Sequence, residues 1–279
     1  MSTSDILAYN SLTTETFDYK KVTINNNGGK NVNVFNKDTK TALNITTPQM
    51  RSYGISDYEG NQRYELTLQF PEAGTNAKAD IFLDVMKKFE EGIKADAITN
   101  CKEWFGKQKM SSDVVDALWT PMLKYPKTEG EIDYSRSPTL RVKTPFYPDN
   151  QRWDFEIYNV ENERLFPDPD SQLTPLDYIK TGTHAGLLIR CGGLWFANGK
   201  FGVTWRLIQA KIKPRTTISG VCQIPLDDDD VATMDTGAVD GNSVDDVVDS
   251  TQVESDDEDV VEEPVKPVKK KVVRKKAAE

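Results

Sequence analysis

The sequence is poor in the residues that carry most enzyme chemistry, and each shortage excludes something. Its one histidine, His184, leaves no Ser/His/Asp relay to assemble. The three cysteines, Cys101, Cys191 and Cys222, lie far apart with no C-x-x-C, which excludes a zinc site of the usual Cys/His kind and argues against a disulfide framework. No stretch approaches the ~18 apolar residues of a membrane span. The opening MSTSDILAYN lacks the apolar core of a secretion signal. The expectation is a soluble intracellular protein in a reducing compartment, with no membrane partner. No G-x-x-x-x-G-K-[ST] occurs, and Gly192-Gly193 sits inside a strand pattern rather than opening a helix. Asp154 and Glu156 alternate on one strand, the ordinary habit of a solvated face. We therefore expect no catalytic residue, no cofactor and no metal.

Aromatic residues stop at Trp205, the last of all 26. From Leu226 onward the chain is mostly Asp, Glu, Val, Ser, Pro and Lys, a composition that cannot bury enough apolar surface to offset its ordering entropy. Two regions are expected: a core at 1–225 and a disordered tail at 226–279. The net charge of −9 belongs to the tail. Residues 1–225 hold 28 Lys and Arg against 27 Asp and Glu, and residues 226–263 hold 16 acids and no base. The run KPVKKKVVRKK then adds seven bases near the C-terminus.

Acids are also missing inside the core. Between Tyr178 and Leu226 there is none, whereas Lys180, Arg190, Lys200, Arg206, Lys211, Lys213 and Arg215 are basic. A one-sign field of this kind attracts a polyanion.

The hydrophobic pattern predicts a mainly β protein with inserted helices. YKKVTI and KNVNVFN flank the NNNGG cluster of a hairpin loop, and YELTLQF (64–70) alternates as a half-buried strand. From Phe82 to Trp104 the apolar residues recur every three or four positions, which predicts an amphipathic helix stopped at Gly106. Ser111, Ser112 and Asp113 are placed to cap a shorter helix that ends before Pro121. TLRVKTPFY and RWDFEIYN follow, joined by the turn PDNQ. The clearest unit is the hairpin of HAGLLIRCGGLWF and KFGVTWRLIQAKIK, closed by Asn198-Gly199. Strands, a helical excursion and further strands point to an OB-like antiparallel barrel or a sandwich.

Single-strand binding needs cations to track phosphate and ring faces to stack on unpaired bases. The candidates for phosphate contact are Arg190, Lys200, Arg206, Lys211, Lys213, Arg141 and Lys143; those for stacking are Trp195, Phe196 and Tyr147. Trp205 and Phe201 read better as core. Strict alternation along the last strand puts Lys211 and Lys213 in phase with Trp205 and Leu207, so either a bulge or twist intervenes or the strand end leaves the core.

TPQM…YGI, YELTLQF, the long helix and YIKTGTHAGLLIRCGGLWFANGKFGVTWRLIQAKIKP together resemble the single-stranded DNA-binding proteins of nucleocytoplasmic large DNA viruses, relatives of the phage-type OB-fold replication proteins. The resemblance covers residues 17–225. It implies a five-stranded OB-type barrel that binds single-stranded DNA during viral DNA replication and recombination. It implies too that the tail contacts partners such as the viral DNA polymerase, and a location in the host nucleus, a cytoplasmic viral factory or the virion. The basic end of this tail departs from the phage pattern of acids with a terminal aromatic. Two other classes fit the composition: an acidic-tailed chaperone of basic proteins such as histones, and a structural virion protein that self-associates. Homo-oligomers are compatible with each.

Overall fold

The computed structural model describes residues 5–24, 28–57 and 60–213. The expected tail at 226–279, with Pro214 and Arg215 ahead of it, lies outside the described residues.

The protein is mainly β, with its longest helix inserted in one connection and a short helix, Pro175–Tyr178, ahead of the last hairpin. Five strands organise it: β1 (Met50–Asp57), β2 (Tyr64–Gln69), β3 (Thr139–Thr144), β4 (His184–Ala197) and β5 (Lys200–Lys213). β1 pairs with β2, β2 with β3, β3 with β5, β5 with β4, and β4 back with β1, so the hydrogen-bonded pairings form a closed circuit. The circuit has the strand order of an OB fold without forming a clear barrel. Two joints are narrow. β4 meets β1 through His184↔Arg51 and Ala185↔Met50, and β3 meets β5 through Lys143↔Arg206 alone. That last joint is parallel, where an antiparallel barrel was expected. Strand Asn44–Thr46 extends the sheet beyond β4, and Glu156–Tyr158 extends it beyond β5.

Period-two alternation sorts each strand into two faces. Leu66 and Leu68 of β2, Leu140 and Val142 of β3, Leu187 and Ile189 of β4, and Trp205 and Leu207 of β5 are buried inside. Their sequence neighbours point outward.

The helical excursion closes the interior. α1 (Ala77–Thr99) starts at Asn76, whose side chain accepts from the backbone N–H of Lys78 and Ala79. Its apolar stripe, Phe82, Met86, Phe89 and Ile93, is buried, and Phe89 lies 5.6 Å from the Trp205 ring. One continuous helix was expected, but the axis breaks at Asn100. α2 (Cys101–Phe105) follows and ends at Gly106, whose φ of 68° is left-handed. In α3 (Ser112–Leu118) Ser111 caps the N-terminus by accepting from the Val114 N–H.

Two lysines are bound to the ends of these helices. Lys30 Nζ donates to the carbonyls of Glu103 and Trp104 at the end of α2, and Lys200 Nζ donates to the carbonyl of Ala117 at the end of α3. Both sit where the helix dipole favours positive charge.

Candidate nucleic-acid interface

The β4–β5 hairpin is the scaffold of the candidate site. Asn198 (φ 49°) and Gly199 (φ 72°) supply the two left-handed residues that a tight hairpin turn needs. Along its inner face run Phe201, Val203, Trp205, Leu207, Ala210 and Ile212, all buried. That sequence of positions skips a beat, because Leu188 pairs with Gln209 while Ile189 pairs with Leu207. Ile208 is therefore an extra residue, a bulge that resets the phase. Beyond it Lys211 and Lys213 fall on the outer face with Arg206, while Ala210 and Ile212 stay inside. The sequence left a bulge and a departing strand as alternatives; the bulge is what occurs.

On the outer face the register brings cations together from three strands. Lys143 of β3 is opposite Arg206 of β5, and Arg206 is opposite Arg190 of β4. Lys143 and Arg206 are exposed, and Arg190 is half-buried. The Arg190 Nε donates to Asn44 Oδ1 at 2.9 Å, which orients the guanidinium on this face. Arg141 shares the β3 face with Lys143 and adjoins Lys124, whose strand pairs Lys124 with Thr139. Burial pushes the Lys124 ammonium below its ordinary range, and the nearby Arg141 charge pushes the same way; Glu90 and Glu65 oppose both. One acid shares the row. Glu65 is opposite Lys143 and lies 3.8 Å from the Arg141 guanidinium.

Trp195 stands on this same face. It is opposite Gly202, and a methyl group placed on Gly202 would come within 2.8 Å of the indole. The half-exposed ring thus lies against bare backbone, and it lines one shallow groove with Lys124, Arg141, Lys143 and Thr204. Gly193 sets up the approach. Its φ of 86° accompanies a second register shift, and its Cα passes so close to Val32 that a Cβ would lie 2.6 Å from the Val32 carbonyl.

The other candidates are placed elsewhere. Phe196 points to the opposite side of β4, stacked on Phe201 at 5.9 Å and edge-on to Phe105 at 5.3 Å. Lys200 is engaged with α3 at the hairpin tip. Tyr147 is exposed in a separate small hairpin, with the Arg152 guanidinium 5.3 Å from its ring centre. Lys211 lies farther along the outer face and donates to Asn162 Oδ1 at 2.6 Å; Lys213 is opposite His184. Trp205 and Phe201 are core, as expected. Glu156 accepts from Tyr158 and Gln209, and Asp154 lies 3.9 Å from Arg152, so the two acids do not converge. Among the described residues no group of three or more His, Cys, Asp or Glu side chains comes together. Lys124, Glu65, Asn44 and Gly202 belong to the site and carried no signal in the sequence.

Residues 75–223, from just before α1 through β5, match the model of a protein family of unknown function, DUF5871. The chain belongs to that family. Its DUF5871 region supplies β3, β4 and β5, hence the Lys143–Arg206–Arg190 row, while β1 and β2 precede it. A search of curated proteins finds no match. Among solved structures, the chain is similar to the single-stranded DNA-binding protein of bacteriophage Enc34 in complex with ssDNA, at 14% identity and a TM-score of 0.39 over 74% of this chain and 99% of that one. It is also similar to gp2.5, a single-stranded DNA-binding protein encoded by bacteriophage T7, at 11% identity and a TM-score of 0.39 over 65% of this chain and 98% of that one.

Proposed function

We propose that this chain is a non-catalytic protein that binds single-stranded DNA across the outer face of β3, β5 and β4. The observation that carries the reading is the row Lys143, Arg206 and Arg190, with Arg141 and Lys124 beside it and the half-exposed Trp195 ring in the same groove. Cations held side by side repel one another, and phosphate groups would relieve that repulsion. An indole lying on bare backbone offers a π-face to any base that is not already paired. The OB connectivity agrees by analogy of fold, because the sheet surface of this architecture hosts oligonucleotide sites in other proteins.

Our proposal extends to the setting that the sequence resemblance implies: an intracellular protein that protects and organises unpaired DNA during viral replication or recombination. The acidic-then-basic tail would modulate DNA or partner binding, the viral polymerase among the partners.

The test is fluorescence anisotropy of the full chain with labelled single-stranded and matched duplex oligonucleotides across a salt series. We expect a preference for the single strand of about tenfold or more, with log affinity falling linearly in log salt. Equal or tighter duplex binding would overturn the reading.

A further inference from the structure

The cationic face does not end at Arg141. One same-face step along β3, about 7 Å, leads to Thr139, which is paired with both Lys124 and Gln69. Thr139 and Gln69 are also the near wall of a hollow of about 550 Å³. Tyr53, Tyr125 and Tyr134 line that hollow. Tyr134 is 72% exposed and Tyr53 49% exposed, large values for rings that gain by leaving water. Tyr125 backs Tyr134, with centroids 4.9 Å apart and ring planes inclined by 56°. Lys87 and Arg136 contribute positive charge to the lining, and Glu72 contributes a single negative one.

We infer that this tyrosine hollow is a second stacking subsite, which takes unpaired nucleobases of the strand whose phosphates lie on Lys124 and Arg141. The inference rests on the single-strand reading above and extends it to a site that no candidate residue from the sequence touches. Three features support it. The hollow is continuous with the cationic face through Thr139. Two of its rings, Tyr53 and Tyr134, are exposed rather than folded away. Its two cations can hold the backbone while the bases turn inward. A base-paired strand has no free ring face to offer here, so the subsite adds to the preference for single strands.

The experiment uses the full chain, wild type and the double substitution Tyr53→Ala/Tyr134→Ala, with Tyr53→Phe/Tyr134→Phe as the stacking-competent control. Affinity for a labelled oligothymidylate of about 20 nucleotides is measured by anisotropy. Photocrosslinking to the same oligomer carrying 5-iodouracil is read by mass spectrometry of tryptic peptides. The alanine pair is expected to weaken binding about tenfold or more, the phenylalanine pair to bind like wild type, and the crosslink to map to Tyr134 or Tyr53. Unchanged affinity of the alanine pair together with crosslinks confined to Trp195 would overturn the subsite and leave the single-strand reading intact. Failure of the wild type to bind the oligomer would overturn both. Thermal melting of each variant separates lost folding from lost stacking; a folded alanine pair that binds tenfold more weakly supports the inference.

Discussion

Arg206 on β5 stands between two other cations, opposite Arg190 on one side and opposite Lys143 on the other. Like charges placed directly across neighbouring strands destabilise a sheet by a few tenths of a kcal/mol up to about 1, and exposure to solvent keeps the effect at the low end here.

Arg206→Thr should therefore separate stability from binding. The variant is expected to melt at the same temperature as the wild type or about 1–3 °C higher, since 1 kcal/mol moves a domain of this size by roughly 2–4 °C. Its affinity for single-stranded DNA should fall severalfold at low salt, and the slope of log affinity on log salt should flatten by about 0.7, one phosphate contact. A lower melting temperature with unchanged DNA affinity would mean that the row serves the fold and not a ligand.

Glu65 makes a prediction of the opposite sense. It is the acid within the row, opposite Lys143 and near Arg141. Glu65→Gln keeps its shape and removes its charge. Titration with labelled oligonucleotide should give tighter binding by about two- to fivefold at low salt, a gain that fades as screening shortens the range of the field. A loss of affinity would show that Glu65 instead orients Arg141 for its contact.

The two tryptophans of the hairpin should part company. Trp195→Ala removes a half-exposed ring from the groove and is expected to cost about 1–3 kcal/mol of single-strand binding with little change in melting. Trp205→Ala empties a fully buried site against Phe89, so it should cost about 3–5 kcal/mol of stability. Gly202→Ala offers a finer probe. Its methyl group would push the indole off its seat, so binding should weaken while the ring itself is retained.

Acid titration of stability should report Glu90. This carboxyl sits under the segment that leads to Lys124 and accepts from the Met122 N–H at 2.6 Å. Burial raises its pKa above 4.5, against backbone hydrogen bonds that lower it. A raised folded-state value means that the native state holds the proton more tightly than the unfolded chain. The associated stabilisation is present below the unfolded value and is lost as pH rises through the folded one. Melting curves between pH 4 and pH 7 should show that decline in the wild type, and Glu90→Gln should remove this component of it. Identical pH profiles for the two proteins would sink the assignment.

Much of the frame was legible from the sequence because it depends on local pattern. Asn198-Gly199 announced its hairpin, the three-to-four spacing from Phe82 announced α1, and the acid-free stretch marked the strands that carry Arg190 and Arg206. What stayed hidden depends on register. Nothing in TLRVKTPFY shows that Lys143 meets Arg206, because a single parallel pair between β3 and β5 makes that meeting. Lys124 carries no signal because its two-residue strand has no periodicity to read. Lys200 looked like a phosphate ligand on charge and position, yet the end of α3 occupies it. Trp195 and Phe196 are neighbours in sequence, but adjacent residues of a strand face opposite ways, and only Trp195 shares the cationic side.

The extra residue at Ile208 makes the far half of β5 a question of parity. Deleting the extra residue, Ile208, would remove the bulge and leave Lys211 and Lys213 outside and Ala210 and Ile212 inside, whereas deleting Ile208 and Gln209 together would turn Lys211 and Lys213 towards the interior and expose Ala210 and Ile212. Loss of one residue at this point should thus be tolerated and loss of two rejected, a rule about counting rather than about which side chain is present.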